Sequence, residues 1–317
     1  MKEGQPSRTA EYMALFRALE SARPDGQRLF SDPFAQEFLS SALTGAVRAA
    51  RLPLAHWVIC RYIDTRWPGV RTSGVGRTRF IDDALLSALR EGARQVVILG
   101  AGFDCRAYRL PEMQRVRVIE VDHPDTSAAK QRHMQRLLGR LPEHVQFLSI
   151  DFNREYLADR LASTRFDRSV PTVFLWEGVT NYLDDSAIDT TFRALSSATD
   201  ECVVLFTYVD KAVINGQRSF PGETNIRQSL KHLGEVWTFG FVPEELPEYL
   251  RERGFCLIED ASSVEYRRRY GLPARDRRGY EFYHVVVASS APRNIVDLFG
   301  KVEYEPSYDY KSPRRKR

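Results

Sequence analysis

From Gln95 onward the chain alternates short β-branched runs with helical patterns, and few folds tolerate that rhythm. The runs are QVVIL from Gln95, VRVIEV from Val116, VQFLSI from Val145, TVFLWE from Thr172, CVVLFTY from Cys202, FCLIED from Phe255 and FYHVVVA from Phe282. The first, fourth and fifth are almost continuously apolar, as strands are when helices cover both faces of a parallel sheet. The expected fold class is α/β, a doubly wound, seven-stranded sheet. With 317 residues and 43% apolar content, the chain has material for such a domain and an added lobe.

Helical signals fill the gaps. Phe80, Ile81, Ala84, Leu85, Ala88 and Leu89 share one face, Asp82, Asp83, Arg90 and Glu91 point elsewhere, and Gly92 stops the helix. Pro243 to Arg253 repeats the helix-then-strand unit, with Leu246 and Leu250 on one side. Two regions stand outside the alternation. Residues 1–75 are helical in pattern, and Asp32-Pro33 reads as N-cap and first helical residue before FAQEFLSSAL. Residues 210–241 carry several aromatics. Ligands in such sheets sit outside the carboxyl ends of the strands, so both segments are expected to close over that end. The expected organisation is a helical cap over 1–75, a core over 76–290 with a lid insertion at 210–241, and a tail over 291–317.

The charge balance, 46 basic against 42 acidic residues, argues against a polyanion-binding surface. The basic run Lys311-Ser312-Pro313-Arg314-Arg315-Lys316-Arg317 reads as a solvated end. Cys60, Cys105, Cys202 and Cys256 lie far apart with no Cys-x-x-Cys pair, so neither a metal site nor a disulfide framework is expected. The N-terminal segment has no signal-peptide pattern, and no apolar stretch is long enough to cross a bilayer. A cytoplasmic chain with no membrane or nucleic-acid partner is expected.

The chemistry begins at ILGAGFDCR, residues 98 to 106. Gly100 and Gly102 allow a tight turn and close backbone approach to a ligand after the first strand. A dinucleotide fingerprint would continue to a third small residue at a bare helix N-terminus, which receives the pyrophosphate. Here Asp104 stands beside that position, and a carboxylate repels a pyrophosphate. S-adenosylmethionine, cationic and free of phosphate, meets the constraint. Its ribose needs a carboxylate at the end of the second strand, and VRVIEVDHP offers Glu120 and Asp122. SIDFN places Asp151 past the third strand, where it can accept from an adenine amino group while Phe152 lies against the ring. FLWEGVTNYL places Glu177 past the fourth. Singly each acid reads as readily as a loop carboxylate or a helix cap; four successive acidic or glycine-bearing strand ends do not.

RTRFIDD, VVILGAGFDCRAYRL, IEVDHPDTSAAK and FLWEGVTNYL, with TAEYMALFRALES and FSDPFA before them, resemble the leucine carboxyl methyltransferase superfamily, in particular its bacterial branch of provisionally assigned S-adenosylmethionine-dependent methyltransferases. The resemblance covers most of residues 7–290. It implies a class I methyltransferase fold, Rossmann-like, with a helical cap. It also implies that Arg77 holds the cofactor's carboxylate, Gly100 forms the first turn, Asp122 is the acid after the second strand, Asp151 and Phe152 receive the adenine, and Glu177 is the acid near the amino-acid portion. Arg17 matches, loosely, a basic residue that also reaches the cofactor carboxylate; a solvated helix arginine is the simpler reading. Cys105 stands where the family's GAG-x-D-T-R run has threonine.

The expected activity is O-methylation of a small molecule at a carboxylate, which is ionised at neutral pH because its ordinary pKa is about 4. No general base is then required. If one is, His123, Tyr182 and His284 are the candidates. Acceptor recognition is expected from Asn181 and Tyr182, from Phe220, Trp237 and Phe239 of the insertion, and from Trp57, Arg61 and Tyr62 of the cap. The competing readings are a protein or RNA methyltransferase and a protein that binds the cofactor without turnover.

Overall fold

The computed structural model describes residues 8–150, 155–272 and 279–291. Helices α1 (Arg8–Ser21), α2 (Ser41–Ala49) and α3 (Pro53–Arg66) come first, and α4 (Val70–Arg90) leads into β1 (Gln95–Leu99). Then follow α5 (Arg106–Arg109), β2 (Arg117–Asp122), α6 (Pro124–Leu138), β3 (Val145–Ser149), α7 (Leu157–Ala162), β4 (Thr172–Trp176), α8 (Asp185–Ala198) and β5 (Cys202–Val209). After α9 (Lys211–Ile214) and α10 (Glu223–Leu233) come α11 (Leu246–Arg251), β6 (Cys256–Ser262), α12 (Ser263–Arg269) and β7 (Tyr283–Ser289).

Each apolar run forms a strand, and the strands make one sheet in the order β3-β2-β1-β4-β5-β7-β6. Neighbours from β3 to β5 pair in parallel, and β7 inserts antiparallel between β5 and β6. The chain winds outward from β1 to β3 and then returns to β4 on the other side of β1. That reversal between β1 and β4 is where a sheet of this kind opens a crevice for a ligand.

The strand β1 shows why the run is apolar throughout. Val96 and Ile98 pack with Phe80, Ile81 and Leu85 of α4, whereas Val97 and Leu99 face Phe174, Trp176 and Phe192 on the opposite side. Both faces are dry, so neither can carry a polar residue cheaply.

Three local expectations change. Helix α4 begins at Val70 and enters the core without a break, so a boundary at residue 75 cuts through a helix. Asp82 and Asp83 lie off its apolar face yet are buried too, because α4 is covered on all sides. Asp32 does cap the next segment, its Oδ1 accepting from Phe34 and Ala35 N–H at 3.2 and 3.0 Å. Only a 3-10 turn over Ala35–Phe38 follows, and α-helix resumes at Ser41. The break lets Phe34 and Phe38 drop onto Tyr108 and Phe103, where Phe38 and Phe103 stack at 4.6 Å, while Val47 of α2 joins a separate cluster with α1. Tertiary packing decides this segment over its helix propensity. The insertion leaves and rejoins the sheet at adjacent points, since Asp210 and Phe241 form a β-bridge. The tail from residue 292, with its basic run, lies outside the described residues.

Candidate functional site

A cavity of about 480 Å³ opens over the carboxyl ends of β1, β2 and β4, in the size range of small-molecule sites. Helix α1 and the insertion roof it, through Thr9, Met13, Arg17, Leu230, Glu235 and Trp237.

The floor is the glycine turn. Gly100 and Gly102 have φ of +63° and +40°, and a Cβ on Gly100 would collide with the Val179 side chain. The turn exposes the Gly102 N–H, which donates to Asp122 Oδ2 at 2.5 Å, while His123 N–H donates to Oδ1 at 2.7 Å. Burial pushes the Asp122 carboxyl up, with both N–H groups opposing. Asp122 thus lines the cavity as a fixed carboxylate with lone pairs to spare. Glu120 does not. It lies two residues earlier on the same face of β2, one pleat deeper, 2% exposed and 2.8 Å from Lys130 Nζ.

Glu177, just past β4, is the hub of the opposite wall. Its Oε1 accepts from Arg77 Nε and its Oε2 from Arg106 Nη1, each at 2.7 Å. Arg106 also donates from Nε to Asp82 at 2.7 Å and from Nη1 to Asp104 at 2.5 Å. Burial works against ionisation of Glu177, but Arg106 and Arg77 more than offset it and hold its carboxyl below the usual range. Asp104 is likewise opposed by burial, yet Arg106 and Lys130 hold it down to about 2. Its charge, unbalanced in the sequence, is therefore compensated within the fold. Arg77 Nη2 donates to Met13 Sδ at 3.1 Å, and its guanidinium lies 4.8 Å over the Tyr283 ring. Arg17 is no solvated helix arginine. Its side chain is 13% exposed, Nε donates to Asp32 at 2.9 Å, and Nη2 donates to the Phe103 carbonyl at 2.6 Å.

The acceptor candidates divide. Asn181, Tyr182 and Trp237 line the cavity. Phe220 and Phe239 are buried in separate apolar clusters, while Trp57, Arg61 and Tyr62 occupy the exposed outer face of α3. A helix pattern with apolar residues on more than one side does not reveal which side meets the body of the protein. Of the base candidates, His284 pairs with Asp260 at 2.8 Å on β7 and does not line the cavity, and burial pushes the Tyr182 phenol up. His123 lines it beside Asp122. Asp151 and Phe152 lie outside the described residues.

Met13, Arg106, Glu235, Tyr280 and Tyr283 enter the site unannounced. The acids at Asp82, Asp104 and Glu177 required a shared cation, and that imbalance was the available signal for Arg106. Tyr280 has φ +62°, rare for a bulky side chain, and its carbonyl accepts from Ser263 Oγ at 2.6 Å. Nothing in the sequence marks it. Among the described residues no group of His, Cys, Asp or Glu is placed to hold a metal ion, and no helix is long and apolar enough to cross a membrane.

Two solved structures share the fold: a methyltransferase, so named provisionally, from Thermobifida fusca (TM-score 0.55, 15% identity, 90% of this chain and 96% of that one) and a DUF574 family protein from Streptomyces avermitilis (TM-score 0.53, 13% identity, 86% and 95%). A Streptomyces coelicolor protein, provisionally named an S-adenosyl-L-methionine-dependent methyltransferase, is 36% identical over 57% of this chain and 61% of its own length. A Mycolicibacterium gilvum relative of the same name is 34% identical, again over 61% of its length, so the chain spans under two thirds of these two relatives. A Mycobacteroides abscessus relative, also so named, is 30% identical over 84% of this chain and 87% of its own. The family model for leucine carboxyl methyltransferase matches residues 10–196. From the glycine turn of β1 to the acid past β4, the matched stretch holds the floor and hub of the cavity, and the chain belongs to the leucine carboxyl methyltransferase family.

Proposed function

We propose that the chain is an S-adenosylmethionine-dependent O-methyltransferase that converts a carboxylate of a small molecule into its methyl ester. The observation that carries this reading is the meeting, around one cavity, of the glycine turn, Asp122 and the Arg77–Glu177 pair at adjoining strand ends. The donor set suits the cofactor: a carboxylate for the ribose hydroxyls, another for the ammonium, and a guanidinium for the carboxylate. It suits a pyrophosphate poorly, because α5 has four residues and ionised Asp104 stands at its start. Bound cofactor supplies a methyl group on a positively charged sulfur.

Arg77 keeps N–H groups beyond those given to Glu177 and Met13 for the cofactor carboxylate, and Glu177 accepts from the ammonium. Asp122 holds the ribose, and Asp151 with Phe152 receives the adenine. The roof of α1 and the insertion excludes water and aligns the acceptor oxygen; such alignment contributes on the order of 7–11 kcal/mol in well-oriented systems. A carboxylate needs no proton removed, which accords with a raised Tyr182 phenol and a His284 engaged elsewhere.

The test is transfer of a tritiated methyl group to a whole cell extract, separated afterwards into small-molecule, protein and RNA fractions that are each treated with mild alkali. Label released as volatile methanol is the expected result. Label that survives alkali would mean an ether or an N-methyl product; a nitrogen acceptor is the second reading, favoured by Glu235 in the cavity wall, which could take the proton. Label confined to protein or RNA would replace the small-molecule reading, and absence of transfer would leave a binding protein. Separately, Asp122→Ala is expected to weaken S-adenosylhomocysteine binding by about 1–3 kcal/mol, read by calorimetry, because it leaves buried hydroxyls unpaired. Unchanged affinity in the folded variant would remove Asp122 from the site.

A further inference from the structure

We propose that the acceptor end of the cavity is a cation site, so that the methyl acceptor carries a protonated or quaternary nitrogen near the group that is methylated. The proposal rests on the methyltransferase reading above and names the class of its substrate. Helix α1 gives the cavity its axis. Thr9 and Arg17 both line it, and eight residues of helix separate them by about 12 Å. Arg17 and Arg77 are the only Lys or Arg side chains among the described lining residues. Arg17 reaches the Phe103 carbonyl beside the glycine turn, and Arg77 joins Glu177, so both serve the cofactor end.

The Thr9 end is built of opposite chemistry. Glu235, 8% exposed, lines it immediately after the carboxyl end of α10, and the Arg8 N–H at the start of α1 donates to its Oε1 at 3.1 Å, fixing the carboxylate. The carboxyl terminus of α10 and the amino terminus of α1 meet here with opposite partial charges, so the negative charge of this end is that of the Glu235 carboxylate. Asn181 is 2% exposed, and its Oδ1 has no hydrogen-bond partner among the described residues. A buried acceptor of that kind calls for a donor. A protonated amine brings N–H donors and a quaternary nitrogen only polarised C–H groups, whereas a second carboxylate brings only acceptors. Asn181 therefore favours the protonated amine, while Glu235 and the aromatic rings of the cavity suit either cation. The remaining walls are aromatic: Tyr182, Trp237 and Tyr280, with Trp237 and Tyr280 edge to face at 6.4 Å. Ring faces attract cations, and the neighbouring Tyr283 already holds the Arg77 guanidinium in this way.

A carboxylate acceptor fits this chamber when the same molecule carries the cation. The nitrogen rests against Glu235 and the rings, and the carboxylate is held toward the cofactor end. The chemistry on the page thus points to amino-acid-like or betaine-like acceptors over simple carboxylic acids.

The experiment titrates the full chain with choline and with its uncharged carbon isostere, 3,3-dimethylbutan-1-ol, in the presence of saturating S-adenosylhomocysteine. Choline is expected to bind at least ~10-fold more tightly, with the preference falling as salt rises. Glu235→Gln, which keeps an acceptor for the Arg8 N–H, and Trp237→Leu should each weaken choline at least ~5-fold. S-adenosylhomocysteine affinity should stay within about 2-fold in both variants, since neither touches the strand-end acids. Equal binding of the two probes, or no binding of choline, overturns the cation site. Should both variants unfold, the choline preference and its salt dependence in the native chain still decide. S-adenosylhomocysteine binding is measured first, and its absence would defeat the methyltransferase reading alone, with the probe titration then read on the chain by itself.

Discussion

Arg106→Met is expected to lose about 3–5 kcal/mol of folding stability, the range seen when one partner of a buried ion pair is removed. The side chain is 3% exposed and answers three carboxylates, Asp82, Asp104 and Glu177, at 2.7, 2.5 and 2.7 Å. Methionine fills similar volume but leaves Asp104 without that cation, Asp82 with Arg109, and Glu177 with Arg77. Urea unfolding at neutral pH measures the loss. A change under ~1 kcal/mol would mean that water or rearranged neighbours replace the guanidinium, and the network would then be no dry core. The acid limb gives a second signature. The Asp104 carboxyl is held down to about 2 from an ordinary 3.8, so its contribution is complete above 3.8 and is lost as pH falls through about 2. In Arg106→Met that window should narrow, because burial pushes Asp104 upward and only Lys130, Arg17 and the residue-106 N–H remain to oppose it.

The same network explains what could be read from residue order and what could not. Strand-end chemistry was legible because period and position coincide: an apolar run must stop where it leaves the sheet, so Gly100, Asp122 and Glu177 were found from the ends of β1, β2 and β4. The choice between Glu120 and Asp122 was not legible, since both point to the same face and only the depth of the pleat separates a cavity carboxylate from one tied to Lys130. Arg17 and Arg106 carry no local mark of burial. Each is drawn inward by acids distant in sequence, Asp32 for one and Asp82 and Glu177 for the other. Trp57, Arg61 and Tyr62 show the reverse error: aromatic and basic residues suggested recognition, yet α3 turns them to solvent because its Cys60 and Ile63 side is the one that packs.

Gly100→Ala is expected to weaken S-adenosylhomocysteine binding at least ~30-fold, the lower part of a penalty of about 2–4 kcal/mol that has two separable sources. The first is backbone. Gly100 holds φ at +63°, a region that costs an L-residue about 1–2 kcal/mol. The second is steric, because the added Cβ meets Val179 Cγ2 within collision distance. Val179 is β-branched and sits between Gly178, whose N–H donates to Thr207 Oγ1 at 2.8 Å, and Thr180, whose hydroxyl donates to the Thr207 carbonyl at 2.5 Å. The segment that carries Glu177 is therefore pinned to β5 and cannot swing aside freely. Relief must come from the glycine turn, and moving that turn carries the Gly102 N–H away from Asp122 Oδ2. The variant should thus lose the ribose carboxylate's alignment while the sheet stays folded. Gly100→Ala with Val179→Ala separates the sources: the double variant removes the collision and keeps the backbone cost, so it should recover roughly half of the lost binding free energy. Full recovery would make the collision the whole effect, and none would place the cost in φ alone. Native affinity in the single variant would show that the turn does not approach the ligand.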